Sequence, residues 1–202
     1  STNETETKTE SVTITQARAF ASGVGSFELH CNGEKVGDHV MDPGQSVFDM
    51  AVLYVSFDLT EGLQMSPLSV ILMAKIGNGK WGYLDMYANR TEVQDQSGDS
   101  TRAFLLHMTV TLSNGTVLQI NTNPSTWQYR HGPIVYDHMW HGEIYDARQE
   151  DNEWLGPPAR AMSPKVGSLV PQNMPPIRVT SSSEPTRTDV SRNVANEFVS
   201  SI

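Results

Sequence analysis

Apolar and polar residues alternate along Leu105-Leu106-His107-Met108-Thr109-Val110-Thr111-Leu112. Successive side chains of a strand point to opposite faces of its sheet, so this period of two predicts a strand with one buried face. The same alternation occurs in Ser11-Val12-Thr13-Ile14-Thr15 and in Ser26-Phe27-Glu28-Leu29-His30-Cys31. The pattern predicts a fold built from half-buried strands.

More strands and several turns follow along the chain. Further apolar runs of strand length are 52–59, 69–76 and 116–120. Asn-Gly pairs, which favour the positive φ angles of tight hairpins, separate apolar runs at 32–33, 78–79 and 114–115. The spacing is typical of a two-sheet sandwich whose strands follow one another as an antiparallel meander. One short turn of helix is expected near 59–63.

The polar and proline-rich segments predict how the domain is bounded. Residues 1–10 and 180–202 contain little that could enter a core and are interpreted as polar tails. Between them, residues 11–179 form the sandwich. Six prolines lie between residues 157 and 176, and proline lacks the N–H that a sheet ladder needs. The stretch 156–179 is therefore expected to be an edge strand or an extended closing arm.

Composition excludes several classes of protein. The chain has 202 residues and a formal net charge of -9, with 14 Lys and Arg against 23 Asp and Glu. Nucleic-acid binding depends on an excess of Lys and Arg, so no nucleic-acid partner is expected. The single cysteine, Cys31, excludes an intramolecular disulfide and a thiolate metal site. No apolar run approaches the roughly 20 residues of a membrane span.

Three N-glycosylation sequons are present, at Asn3, Asn89 and Asn114. A chain of this composition would contain roughly two by chance, so the sequons favour secretion only weakly. On this basis we expect an extracellular or cell-surface location.

Three blocks of the chain together resemble a known family. They run from Ala17 to Gly44, from Leu53 to Trp81 and from Gly132 to Val179, and the last contains Trp140-His141-Gly142-Glu143-Ile144-Tyr145-Asp146-Ala147-Arg148. In this order they resemble the N-terminal domain of glycoside hydrolase family 78 α-L-rhamnosidases, which is related to carbohydrate-binding module family 67. The likeness covers roughly residues 11–179.

The resemblance implies a fold and a function. The fold is all-β, a jelly-roll β-sandwich of the galactose-binding-like type, here with extended terminal tails. In the family this domain binds L-rhamnose with a calcium ion and is an accessory to the enzyme, whose catalytic part is a separate (α/α) barrel. No such barrel follows residue 179, so the paired carboxylates of an inverting glycosidase are not expected here. The chain is therefore not expected to be an enzyme.

The resemblance also suggests site residues. The best matches in position for sugar binding are Asn78, Trp81, Asp137 and His138, with Asn78 and Asp137 as calcium ligands. Sugar sites need an aromatic face and groups that orient hydroxyls, and calcium accepts only oxygen ligands. Trp81 is the preferred platform because it follows a loop.

Each of these residues also has a purely structural interpretation. Asn78 needs no role beyond a hairpin turn. Tryptophans are more often core anchors than sugar platforms, and this applies to Trp81, Trp127, Trp140 and Trp154. The chain also departs from the family pattern at Gln45, where the family usually has Trp, and at Lys80, which is inserted before Trp81.

The signature Glu143, Asp146 and Arg148 is interpreted as structural, with a buried or half-buried Asp–Arg pair that locks the last strands. A transition-metal site is not expected from the nearby histidines. On a strand, His138 and His141 would point to opposite faces, which keeps their imidazoles apart.

Three functional hypotheses follow. The first is a noncatalytic, lectin-like domain whose partner is a rhamnose-containing glycan. The second is a structural subunit of an extracellular filament or surface assembly, joined to copies of itself through the terminal tails. The third is the N-terminal fragment of an intact α-L-rhamnosidase.

Overall fold

The structure is a computed structural model that describes residues 11–65, 69–81, 102–150, 156–159, 161 and 166–183, with the backbone of 189–192 and 198–201. Its strands are β1 (Ile14–Val24), β2 (Ser26–Cys31), β3 (Glu34–Lys35), β4 (Ala51–Asp58), β5 (Leu72–Gly77), β6 (Ala103–Leu112), β7 (Val117–Asn121), β8 (Ile134–His138), β9 (Gly142–Tyr145), β10 (Ser168–Pro171), β11 (Asp189–Arg192) and β12 (Phe198–Ser201). Helical segments are α1 (Thr60–Met65), a helical turn at 79–81 and a 3₁₀-helix (Ala147–Gln149).

The prediction of an all-β sandwich is confirmed. One sheet has five strands in the order β10-β4-β1-β6-β7, and a second has three in the order β3-β2-β5. The pairs β8–β9 and β11–β12 form separate two-stranded sheets. The predicted meander is wrong for the central strands, because β1 lies between β4 and β6. β1 and β2 follow each other directly but belong to different sheets, so the chain crosses the sandwich there.

The hydrophobic core lies between the two larger sheets. β1 contributes three small residues, Ala17, Ala19 and Ala21, each almost completely buried. Leu106 and Met108 of the neighbouring strand β6 are fully buried on the same side. From the other sheet, β2 contributes Phe27, Leu29 and Cys31, and Phe27 packs edge-on against Phe57 and Phe104 at ring-centroid distances of 6.3 and 5.2 Å. Alternation along β1, β2 and β6 thus buries one face of each strand, as the sequence predicts.

The chain crosses from β1 to β2 at Gly25, which lies against the backbone of Gly77. Gly25 has φ 110°, and a Cβ at this position would lie 2.4 Å from the carbonyl oxygen of Gly77. From the other side, a Cβ on Gly79 would lie 2.9 Å from the carbonyl carbon of Gly25. The crossing and the loop after β5 therefore touch backbone to backbone.

Two of the three Asn-Gly hairpins are confirmed. Asn32 and Gly33 have φ values of 52° and 89° and connect β2 to β3, while Gly115, with φ 82°, lies between β6 and β7. The third prediction is wrong, because Asn78-Gly79 leads from β5 into the helical turn at 79–81. The short helix expected near residue 60 is present as α1.

The proline-rich arm is partly an edge strand and partly extended chain. Its β10 segment pairs in parallel with β4 at the edge of the five-stranded sheet. Farther along, Gln172 Oε1 accepts a hydrogen bond of 2.7 Å from Gly44 N, and Arg178 forms a bridge with His39. The arm therefore lies along the loop that follows β3.

An ionic network fastens the end of the arm. Arg178 Nε donates to Asp38 Oδ2 over 2.7 Å, and its Nη2 lies 3.3 Å from His39 Nε2. A guanidinium can only donate, so Nε2 is the acceptor and His39 Nδ1 carries the proton that it donates to Asp42 Oδ2 over 3.0 Å. The hydrogen bond from Arg178 lowers the pKa of Asp38, whereas burial raises the pKa of Asp42 despite His39.

The structure describes part of one of the two predicted tails. Residues 1–10 lie outside the described residues. In the C-terminal segment, predicted to be a polar tail, β11 and β12 pair antiparallel with Asp189 opposite Ser201. Among the described helices, none combines the length and apolar character needed to cross a bilayer.

We expect Gly25→Ala to lower the free energy of unfolding by at least about 2 kcal/mol, because the new Cβ would strike the backbone of Gly77 and force an unfavourable φ. Gly115→Ala is the matched control, since Gly115 has a similarly positive φ with nothing within 4 Å, and should cost about 1 kcal/mol. Urea denaturation of both variants measures the difference. Equal losses would show that the close approach is unimportant.

Candidate functional site

Two of the predicted site residues are joined by two hydrogen bonds, and Asn78 is the donor in both. Asn78, directly after β5, donates from its backbone N to Asp137 Oδ2 over 2.6 Å. Its side-chain Nδ2 donates to the backbone carbonyl of Asp137, in β8, also over 2.6 Å. We call this two-bond contact the Asn78–Asp137 clamp. It joins the three-stranded sheet to the β8–β9 hairpin.

The clamp requires a glycine at position 77, and it does not use the Oδ1 atoms of Asn78 and Asp137. A Cβ on Gly77 would lie 2.8 Å from Asp137 Oδ2 and 2.8 Å from Ser26 Oγ, so a larger residue would push the carboxylate away. Because the clamp uses Asn78 Nδ2 and Asp137 Oδ2, the remaining Oδ1 atoms of both side chains have no hydrogen bond from the described residues. The clamp thus uses one oxygen of the Asp137 carboxylate and does not use the amide oxygen of Asn78.

His138 is buried and organises the turn between β8 and β9. Its Nδ1 accepts hydrogen bonds of 3.1 Å from the backbone N of both Trp140 and His141. An acceptor nitrogen carries no proton, so the neutral ring is protonated at Nε2. His138 therefore holds the tight turn that presents Trp140.

The prediction that His138 and His141 lie on opposite faces is wrong. Their rings stack with centroids 4.3 Å apart. The alternation of a strand does not apply to them, because β8 ends at His138 and the chain reverses before β9 begins at Gly142.

The tryptophans have different environments. Trp81, the predicted platform, is half-buried and packs edge-on against Phe48 with ring centroids 5.0 Å apart. Trp127 packs against the core, as the structural interpretation expects. Trp140 is 69% exposed and is not a core anchor. Trp154 lies outside the described residues.

Trp140 is an exposed aromatic residue that the sequence analysis did not nominate for the site. It lies two residues after His138, and the only signal was its position in the turn after the alternating strand. Gln45, one of the departures from the family pattern, approaches the same turn, since its Nε2 lies 3.9 Å from Met139 Sδ. The other departure, Lys80, lies in the helical turn after Asn78. Both departures therefore flank the clamp.

The predicted Asp–Arg pair forms, but not as a lock between strands. Asp146 accepts from Arg148 Nε over 2.8 Å and from Nη2 over 2.7 Å, and it also accepts from Arg148 N at the start of the 3₁₀-helix. The guanidinium is 89% exposed, and Glu143 is also exposed. The hydrogen bonds from Arg148 hold the pKa of Asp146 well below its usual range. The pair caps a local turn, because its members are only two residues apart.

Of the three sequons, the structure describes one. Asn114 is exposed at the turn between β6 and β7, and its Oδ1 accepts a hydrogen bond of 3.0 Å from Thr116 N. Asn3 and Asn89 lie outside the described residues.

The sandwich and its clamp occur in a chain that matches a known family along most of its length. The family model described as the alpha-L-rhamnosidase N-terminal domain matches residues 12–181. The chain belongs to this family. An alpha-L-rhamnosidase of Formosa agariphila is 30% identical over 182 residues, which are 85% of this chain and 19% of that protein. One from Streptomyces avermitilis is 31% identical over 145 residues, which are 71% of this chain and 13% of that protein.

Solved structures share the fold of this chain. The structure of the alpha-L-rhamnosidase from Dictyoglumus thermophilum superposes with a TM-score of 0.70 at 29% identity, covering 87% of this chain and 19% of that one. The Streptomyces avermitilis enzyme, solved in complex with L-rhamnose, has a TM-score of 0.67 at 24% identity, covering 93% and 18% of the two chains, and shows the shared fold. The chain thus spans 13–19% of the length of these relatives and matches the family's N-terminal domain.

We expect Asp137→Ala to destabilise this rhamnosidase N-terminal domain by about 1–3 kcal/mol, because the backbone N–H of Asn78 loses its acceptor. Asp137→Asn keeps an acceptor oxygen at the same place and should cost less than about 1 kcal/mol. Amide hydrogen exchange at Asn78, read alongside urea denaturation, measures both effects. If Asn78 exchanges equally slowly in the parent and in the Ala variant, the clamp does not stabilise this loop.

Proposed function

We propose that this chain is a noncatalytic carbohydrate-binding domain for a rhamnose-containing glycan, acting as an accessory to an α-L-rhamnosidase. The observation that carries the proposal is the Asn78–Asp137 clamp, which leaves two oxygens for a ligand beside the turn that presents Trp140. The match of this chain to the N-terminal domain of α-L-rhamnosidases supports the same role.

The proposed site combines the two elements that sugar recognition requires. An exposed aromatic ring covers the apolar side of a pyranose, and fixed oxygens orient its hydroxyls. Trp140 supplies the ring, and Asn78 Oδ1 and Asp137 Oδ1 supply the oxygens. His138 is assigned the role of positioning the turn, because its Nδ1 is engaged by backbone N–H groups. Trp81 supports the fold through Phe48.

The proposed calcium ion fits this site because the side chains of Asn78 and Asp137 carry oxygen atoms. Calcium takes six to eight oxygen ligands, and Asn78 and Asp137 would hold it with one amide oxygen and one carboxylate. Nowhere in the described parts of the chain do three or more His, Cys, Asp or Glu side chains converge. Water and sugar hydroxyls would complete the shell, so we infer that calcium and sugar bind together.

The domain's relationship to a larger enzyme is part of the proposal. The chain spans 19% of the Formosa agariphila relative, whose full length carries the name of the enzyme. We infer that this chain is the N-terminal part of such a protein and that hydrolysis belongs to other domains. A glycan partner suits an extracellular or cell-surface location, where the exposed Asn114 sequon would be a glycosylation acceptor. Assembly of copies through the terminal tails remains a prediction.

The decisive experiment is titration of the 202-residue chain with L-rhamnose by NMR, with calcium and after chelation. We expect weak, saturable shifts at residues 78 and 137 that chelation reduces. Trp140→Ala and Asn78→Ala should each weaken binding about tenfold or more, equivalent to about 1.4 kcal/mol.

Matched variants separate loss of the site from loss of the fold. Trp140→Phe keeps an aromatic face and should retain most of the affinity, while Trp127→Phe tests the core without touching the site. No binding by the folded parent in saturating calcium would overturn the proposal. Equal affinity in the parent and in Trp140→Ala would overturn the platform role alone.

A further inference from the structure

One face of the β8–β9 hairpin carries an aromatic ring in line with the clamp. Asp137 in β8 lies directly opposite Glu143 in β9. Side chains that lie directly opposite each other in an antiparallel pair share one face of it. Glu143 and Tyr145 are two residues apart in β9, so they also point to the same face. This face therefore carries Asp137, Glu143 and Tyr145.

Tyr145 is exposed, and a hydrogen bond holds its ring in place. The residue is 51% exposed, and its hydroxyl donates to Glu150 Oε1 at the end of the 3₁₀-helix. This hydrogen bond raises the pKa of Tyr145, and the negative charge of Glu143 acts in the same direction, in agreement with the shared face. An exposed ring that is already fixed loses little conformational freedom when a ligand binds.

The family signature after β9 fixes the position of Glu150. Asp146 N donates to Pro133 O over 2.8 Å, which joins the two ends of the hairpin. The carboxylate of Asp146 caps the 3₁₀-helix by accepting from Arg148 N over 3.2 Å. Glu150 is the C-cap residue of the same helix. The local cap thus holds Glu150 where it accepts from Tyr145.

The groups on this face suit a ligand that carries many hydroxyls. We call Asp137 and Glu143 the acidic pair. Carboxylates only accept hydrogen bonds, which sugar hydroxyls donate, and like charges directly opposite each other destabilise a strand pair unless a ligand relieves them. Asp and Glu are depleted from the cores of protein interfaces, whereas sugar sites combine an aromatic ring with a few fixed polar groups. The composition of this face therefore favours a glycan over a protein partner.

The spacing along the hairpin suits neighbouring sugar residues. Tyr145 lies two residues along β9 from the acidic pair, a distance of about 7 Å at the rise of an antiparallel strand. A separation of this size is close to the length of one monosaccharide unit. Trp140 lies in the turn between β8 and β9, at the opposite end of the hairpin from Tyr145. The acidic pair therefore lies between two exposed aromatic residues.

We propose that the glycan bound by this domain is an oligosaccharide of two or more residues, with Tyr145 as a second aromatic platform and Glu143 as an acceptor for its hydroxyls. This inference rests on the proposed function, which places the first sugar residue at Trp140 and the clamp oxygens. The second sugar residue then lies over Tyr145, toward the base of the hairpin. The site thus binds a chain of sugars and not only a single rhamnose.

Comparison of a monosaccharide with disaccharides tests the proposal. The 202-residue chain in saturating calcium is titrated by NMR with methyl α-L-rhamnoside and with α-linked L-rhamnose disaccharides that differ in linkage position. We expect at least one disaccharide to bind about fivefold or more tightly than the monosaccharide and to shift the resonances of Tyr145. Tyr145→Ala should reduce the affinity for this disaccharide to about that of the monosaccharide. Glu143→Ala should weaken disaccharide binding about threefold or more.

Two control variants separate the second platform from general effects on the hairpin. Tyr145→Phe keeps the ring and should retain most of the gain that the disaccharide shows. Ile144→Ala removes a side chain that is 59% exposed on the opposite face, and this variant should bind the disaccharide like the parent. Circular dichroism confirms that every variant folds.

The outcomes distinguish this inference from the proposed function. If the parent binds the monosaccharide and no disaccharide binds more tightly, the second platform is overturned and the proposed function stands. If the parent binds neither kind of sugar, the proposed function fails and this inference fails with it. A gain that survives Tyr145→Ala also overturns the inference, because the second sugar residue would then lie elsewhere.

Discussion

The backbone contact between the β1–β2 crossing and the loop after β5 is the constraint on which the site depends. At Gly25 the chain leaves one sheet for the other, and the carbonyl of Gly77 occupies the space where a side chain would lie. This contact fixes where β5 ends. Asn78 is thereby placed next to Asp137, and their hydrogen bonds attach the β8–β9 hairpin to the sandwich. Without this approach the proposed ligand oxygens would lie on unconnected loops.

Aromatic rings are packed together in the core, whereas the β8–β9 hairpin exposes one. In the core, Phe27, Phe57 and Phe104 pack edge to face between the sheets. In the hairpin, Trp140 is exposed because His138 accepts backbone hydrogen bonds from the turn and occupies the buried position itself. The buried histidine and the exposed tryptophan thus lie two residues apart in one hairpin. The edge strands of the five-stranded sheet are β10, which belongs to the arm, and β7.

Much of the fold could be predicted from the sequence because alternation is a local signal. Residues 105–112 lie in strand β6, which buries one face, and the Asn32-Gly33 hairpin follows from the positive φ that this pair favours. The order of strands could not be predicted in the same way. Which strand neighbours β1 depends on contacts between residues far apart in the chain, and alternation specifies a buried face without specifying a partner.

The sequence alone determined the all-β class, the main strands, the family resemblance and the nomination of Asn78 and Asp137. Only the tertiary structure decided that these two side chains meet, that Trp140 is exposed and that Trp81 packs on Phe48. It also decided that Asp146 and Arg148 form a local cap. The physical reason is that exposure and pairing depend on the whole packed chain, because a Trp in a turn is buried or exposed according to which distant segment lies against it.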